Sequence, residues 1–319
     1  MNSMFVNFIY AAILSGTALL FATVGEILAE KAGNLNLGVE GMMWMGAFAG
    51  FYTALRTESP FKALLAAFCF AAFGAFLYAF LTVTLKANQN VTGLTLTTFG
   101  IGLSLVLGYA MTGRLGGAPR LSETFRAAMA PVSIPVLSEI PYLGKMFFQH
   151  NPMVYLAVIL AVISALFLRK TRLGLNVRAV GENPSSADAA GINVTLLKYL
   201  NIVAGGGICG LGGAYMSIIL ANGSWQPGGI VNGRGWIAVA LVIFVSWSPA
   251  KAILGAFLFG AFSSLSNYIP ASVIDIPIAF YQMLPFVLTV LVLIVTSVKK
   301  SRENSQPAGC GINYFREER

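Results

Sequence analysis

Charge is what this sequence has least of. Only 10% of its 319 residues are Asp, Glu, Lys or Arg, while 57% are hydrophobic, and mean hydropathy is +0.76. A soluble domain carries about 25% charged residues, so this chain cannot cover a water-facing surface and is read as a polytopic membrane protein. Histidine is confined to His150, which excludes a His-based metal or catalytic cluster. Of the three cysteines, Cys69 and Cys209 fall in apolar stretches and Cys310 near the C-terminus, a spacing of soft packing residues and not of a disulfide framework. No G-x-x-x-x-G-K-[ST] sequence occurs, so ATP is not bound here by a P-loop, and no Ser/His/Asp, H-E-x-x-H or C-x-x-C arrangement points to catalysis. The GGGICG of Gly205–Gly210 fits a dinucleotide fingerprint in letters only, because it lies inside an apolar run. Gly206 and Gly210 read instead as small-xxx-small helix packing.

What is present is long apolar runs. A span needs about 20 mostly apolar residues, and nine such stretches are expected as helices: Val6–Ile27, Leu37–Leu55, Phe61–Leu85, Val91–Met111, Met153–Leu168, Tyr199–Ala221, Gly235–Trp247, Ala252–Tyr268 and Phe280–Val298. The seventh is short, so either it tilts little or its start is unwound. The N-terminus lacks the basic region of a signal peptide and is read as a retained first span.

The net charge of +8 comes from cations in the loops between spans, as the positive-inside rule expects, and not from a nucleic-acid-binding face. A C-terminus inside puts 13 of the 20 cations on the cytoplasmic side and 7 outside, so the expected topology is N-outside, C-inside. On that topology two of the three N-x-[ST] matches (Asn90, Asn193, Asn222) are cytoplasmic, and the motif carries no weight. The domain reading is a transmembrane unit over residues 1–300 and a solvated cytoplasmic tail over 301–319. An external loop spans about 113–152, rich in Pro and Gly. A cytoplasmic loop spans about 169–198, with Arg169, Lys170, Arg172 and Arg178 at its entrance and Lys198 at its close.

Three polar stretches stand where lipid would be expected. In Gly25–Gly41, Glu26, Glu30, Asn34, Asn36 and Glu40 lie among glycines. That stretch is either a broken helix lining a pathway or a cytoplasmic turn with solvated carboxylates; the turn is preferred for Glu30–Lys31, and for Glu40 both readings stand. In Ala221–Gly235, Asn222, Trp225, Gln226, Asn232 and Arg234 either meet a flat polar ligand or form an external turn with Trp225 and Trp236 as interfacial anchors, the reading preferred for the tryptophans. The hydroxyls of Thr92–Thr98 are expected to bond their own backbone. Asn36, Glu40, Asn222, Trp225, Asn232 and Arg234 are therefore the candidate substrate-pathway residues.

The blocks GEILAEKAGNLNLGVEGMMWMGAF, RAVGENPSSADAAGINV, GRGWIAVALVIFVSWSPAKAILGAFLFG and the terminal INYFREER resemble the permease subunits of bacterial ABC importers. The broader group takes up branched-chain amino acids and simple sugars such as ribose, and the nearer resemblance is to its nucleoside-uptake branch. That resemblance implies an all-α permease in the bacterial cytoplasmic membrane, with a second related permease subunit, cytoplasmic ATPase subunits and an extracytoplasmic substrate-binding lipoprotein as partners. ATP and Mg would be bound by the ATPase, and no cofactor by this chain. It also implies that Arg178, Gly181, Glu182, Asn183, Pro184, Ala187, Ala190 and Gly191 form the segment that couples to the ATPase. The residues agree independently: Asn183 can cap a helix, Pro184 suits its first turn and Gly191 can stop it. Val245–Pro249 departs from the pattern, since a cation found there in relatives is missing. The alternatives are a permease for ribose-like sugars or branched-chain amino acids, or an ion-coupled secondary transporter with Glu40 or Asp275 as relay.

Overall fold

The computed structural model describes residues 2–135, 137–226, 228–265, 268, 278–299 and 306–315. Asp275, Lys300–Ser305 and Arg316–Arg319 lie outside them. The main helices are α1 (Asn2–Lys31), α2 (Val39–Thr57), α3 (Pro60–Ala79, continued as a π-turn over Phe80–Thr84) and α4 (Gln89–Leu115). After a folded excursion containing α5 (Glu123–Ala128) and α6 (Leu143–Phe147) come α7 (Pro152–Lys170), α8 (Arg172–Glu182) and α9 (Pro184–Ala189). The chain closes with α10 (Val194–Tyr215, continued as a π-turn over Met216–Leu220), α11 (Arg234–Phe244), α12 (Pro249–Leu265) and α13 (Ile278–Lys299).

Among the described residues, five helices are long and apolar enough to cross a membrane: Met4–Lys31, Pro60–Thr84, Gln89–Leu115, Pro152–Lys170 and Val194–Leu220. The protein is thus a multi-pass, helical membrane protein. Helices α11 and α12 are shorter apolar elements. Helix α11 begins at Arg234, one residue before the expected start of the seventh span; ahead of it Asn222, Gly223, Gly228, Asn232 and Gly233 take positive φ.

Helix α10 is the axis of the bundle, lying against α1, α2 and α3. Its glycines allow this. A Cβ on Gly205 would come within 2.3 Å of the Gly25 carbonyl oxygen in α1, one on Gly210 within 2.3 Å of the Ala71 Cβ in α3, and one on Gly213 within 1.8 Å of the Met43 oxygen in α2. The GGGICG stretch is therefore a close-packing surface.

Helix α10 also serves as a ruler. Gly206 lies beside Met42, close to the start of α2. That is a dozen residues, about 18 Å, from the first turn of α10, or roughly half of a hydrocarbon core of about 30 Å. Helix α2 thus starts mid-bundle, reached by a non-helical linker over residues 32–38. Helix α11 starts at the same level, because Gly235 packs on Glu40, and it ends at Phe244, three residues before Trp247, which lies beside Glu30 of α1. Helix α2 and the shorter α11 therefore begin together in the interior.

The 113–152 excursion is folded. Strands β1 (Val132–Ser133) and β2 (Gln149–His150) pair antiparallel, Phe125, Met129 and Met146 are buried, and Lys145 donates to Asn7 of α1 at 2.8 Å.

Candidate coupling site and buried carboxylates

At the end of the bundle where α1 finishes, Thr171 joins α7 to α8. Its hydroxyl donates to the Phe167 carbonyl at 2.7 Å and accepts from the Gly174 N–H at 2.9 Å. Helix α8 turns Val177, Val180 and Gly181 inward, and Gly181 sits so close to α1 that a Cβ would lie 2.2 Å from the Lys31 carbonyl oxygen. Asn183 then ends α8 and caps α9, its Oδ1 accepting from the Ser186 N–H at 2.9 Å. Pro184 occupies the first turn, Ala187 anchors the helix by burial, and Gly191 leaves it at φ +80°. Arg178, Glu182, Asn183, Ala190 and Gly191 remain exposed. All eight residues expected to couple thus belong to one short helical hairpin. A cavity of about 440 Å³ beside it is lined by Lys31, Arg169, Arg178, Lys251, Glu182 and Trp247. Cations from neighbouring elements thus gather where Val245–Pro249 lacks its own.

The expectation of a solvated tail is corrected over residues 306–315. Gly309 donates to the Gly181 carbonyl at 2.8 Å, the Ala308 N–H to Glu182 at 3.3 Å, and the Tyr314 hydroxyl to Asp188 at 2.6 Å. The Asn313 amide donates to the carbonyls of Lys86 and Ala87, and accepts from Gln89 at 3.1 Å. Burial pushes the Lys86 ammonium below, and the Cys310 thiol above, their ordinary values.

The carboxylates of the first polar stretch are not solvated. Helix α1 continues through Glu26 and Glu30 instead of ending at Ile27, and both are buried. Glu26 accepts the Asn36 N–H at 3.1 Å, and Glu30 accepts the indole N–H of Trp247. The turn reading for Glu30 fails because its helix partners enclose it. Spacing gave one clue, since positions 26 and 30 are a helical turn apart; nothing local pointed to Trp247.

Glu40 is buried in the first turn of α2, yet it serves α11: its carboxylate accepts the Gly233 N–H at 2.9 Å and the Gly235 N–H at 2.6 Å. These are among the unpaired donors at a helix start, where negative charge is favoured. Asn36 folds its Oδ1 onto the Gly38 N–H at 2.9 Å and so shapes the entry to α2. Arg234 is the first residue of α11, and Asn232 is exposed just before it. Asn222 and Trp225 belong to a different place, the turn that pairs with residues 119–121. Trp225 is neither a stacking surface nor an interfacial anchor. It is fully buried, with ring centroids 5.5 Å from Phe51 and 5.8 Å from Phe48. Of the Thr92–Thr98 hydroxyls, Thr92, Thr95 and Thr98 bond their own helix as expected, whereas Thr97 reaches the Leu37 carbonyl at 2.8 Å.

The model of the branched-chain amino acid transport system / permease component family matches residues 8–293. The chain belongs to this family. It is 38% identical over 256 residues to a putative glucose ABC transporter permease protein of Haloferax volcanii, covering 80% of this chain and 75% of that one. It is 33% identical over 317 residues to the nucleoside ABC transporter permease protein NupC of Lactococcus lactis, covering 95% of each. It is 34% identical over 297 residues to the guanosine ABC transporter permease protein NupQ of Bacillus subtilis, covering 89% of each.

Proposed function

We propose that this permease is the membrane subunit of an ATP-driven importer of nucleosides. The observation that carries the substrate is the likeness to a nucleoside permease over 95% of both chains. The exposed α8–α9 hairpin supports the energy input: a short capped helix on a rigid bundle end suits the groove of a separate ATPase, and this chain has no P-loop of its own. Closure of the ATPase pushes the hairpin, and the bundle alternates between outward and inward access. On this reading the hairpin end is cytoplasmic, the N-terminus is outside, and nine helices cross the bacterial cytoplasmic membrane. A second permease subunit and an external binding lipoprotein complete the importer.

A simple sugar is the second reading, favoured by the 38% identity to the putative glucose permease. The test is uptake of labelled guanosine into proteoliposomes holding the whole importer, competed with unlabelled nucleosides, glucose, ribose and leucine. Nucleosides alone should compete. Competition by glucose or ribose and not by nucleosides transfers the assignment to sugars.

A further inference from the structure

We propose that residues 306–315 form a strap that makes the coupling hairpin and the α1–α2 linker move as one body, with Asn313 and Tyr314 as its positioning residues. The inference deepens the ATP-driven reading and rests on it.

The strap bonds to two elements that are far apart in sequence and reaches a third through Gln89. On the hairpin it holds Gly181, Glu182 and Asp188 through backbone and tyrosine bonds of 2.8, 3.3 and 2.6 Å. At the α3–α4 turn Asn313 holds the carbonyls of Lys86 and Ala87 at 2.6 and 3.1 Å. Through Gln89 it reaches the linker, because the Gln89 side-chain amide donates to Asn313 while its carbonyl oxygen accepts the Leu35 N–H at 2.8 Å. The Leu35 carbonyl in turn accepts the Tyr78 hydroxyl at 2.6 Å. Leu35 lies four residues before Val39, the first residue of α2, and Glu40 beside it holds the start of α11. A continuous set of bonds therefore runs from Asp188 on α9 to Leu35 in the linker that leads into α2.

The contact is fitted. A Cβ on Gly309 would lie 2.8 Å from the Gly181 oxygen and 3.3 Å from Pro184, and Gly311 takes φ +82°. Asn313 uses both amide hydrogens and its oxygen. A segment merely resting on the surface would leave such groups to water. A bonded path couples motion only if breaking it uncouples the ends, so the decisive evidence is a coupling measurement.

The experiment uses the complete importer with this subunit carrying Asn313→Ala and Tyr314→Phe together, beside a second form truncated after Pro307. Co-purification with the ATPase, ATP hydrolysis and substrate uptake are measured on the same preparation. The expected result is retained assembly and hydrolysis, with substrate taken up per ATP falling roughly five- to tenfold, the scale of energetic coupling between linked sites. Maleimide labelling of the half-buried Cys310, read by peptide mapping to separate it from the exposed Cys69, reports the strap directly. Labelling should stay slow in wild type with and without trapped nucleotide, and become fast in the double variant. A normal uptake-to-hydrolysis ratio in the double variant overturns the proposal, as does fast labelling of wild-type Cys310 in either state. Loss of the ATPase from both variants also overturns it, by making the segment a docking element. Absence of ATP-dependent uptake in the wild-type importer would instead remove the underlying transport reading.

Discussion

Glu40 belongs to one helix and satisfies another, so its removal should be felt at a distance. Glu40→Ala leaves the N–H groups of Gly233 and Gly235 without an acceptor in the interior, at about 1–3 kcal/mol for each buried donor. The expected outcome is a melting temperature in detergent lower by several degrees and reduced uptake, with Glu40→Gln, which keeps one acceptor, falling between. An unchanged melting temperature for Glu40→Ala would sink the capping role. In the excursion before α7, His150 is buried, stacks on Tyr10 with centroids 4.5 Å apart, and donates from Nε2 to the Met146 carbonyl at 2.8 Å. Burial lowers its pKa below the ordinary 6.5. Between the lowered folded value and the unfolded one, the unfolded chain binds more protons, so stability rises with pH through that window. Stability from this group is complete above the unfolded value and is lost as pH falls through the folded one. His150→Gln should flatten the acid side of a stability-versus-pH curve; an unchanged slope there would refute this.

At the scale of elements, α9 and α10 show how closely the local sequence and the packing agree. Asn183, Pro184 and Gly191 punctuate α9 as their chemistry predicts, and the helix occupies Pro184–Ala189. Asn183→Ala removes the cap, worth about 0.5–2 kcal/mol, and should lower ATPase-coupled uptake while leaving the amount of inserted protein unchanged. Gly191→Val places a branched side chain at φ +80° and should act in the same direction, whereas Gly191→Asn, tolerant of that region, should be mild. Equal uptake by the valine and asparagine variants would remove the backbone argument. The α10 glycines were legible as a packing motif, but not their partners. Gly213→Ala would put a Cβ 1.8 Å from the Met43 carbonyl oxygen, and backbone cannot yield as a side chain does. Loss of monodisperse protein by size exclusion is expected.

For the whole molecule, the prediction concerns the source of energy. Uptake should stop when the partner ATPase is inactivated and persist when ion gradients are collapsed with ionophores; the reverse pattern would favour an ion-coupled carrier. Glu40 is poorly placed as a relay in this structure, since both of its oxygens are engaged by backbone donors.

Composition by itself determined that the chain lives in a membrane, because 10% charge cannot solvate 319 residues. Apolar runs and turn chemistry located the helical stretches and the short helix α9, since caps and breakers act within a few residues of where they stand. Only the tertiary structure decided where Glu30, Trp225, Thr97 and the 306–315 segment belong. Each is held by groups 60 or more positions away: Trp247 for Glu30, Pro119 for Trp225, Leu37 for Thr97 and Gly181 for Gly309. A buried polar group takes whichever partner the packing supplies, and that partner leaves no mark in the neighbouring sequence.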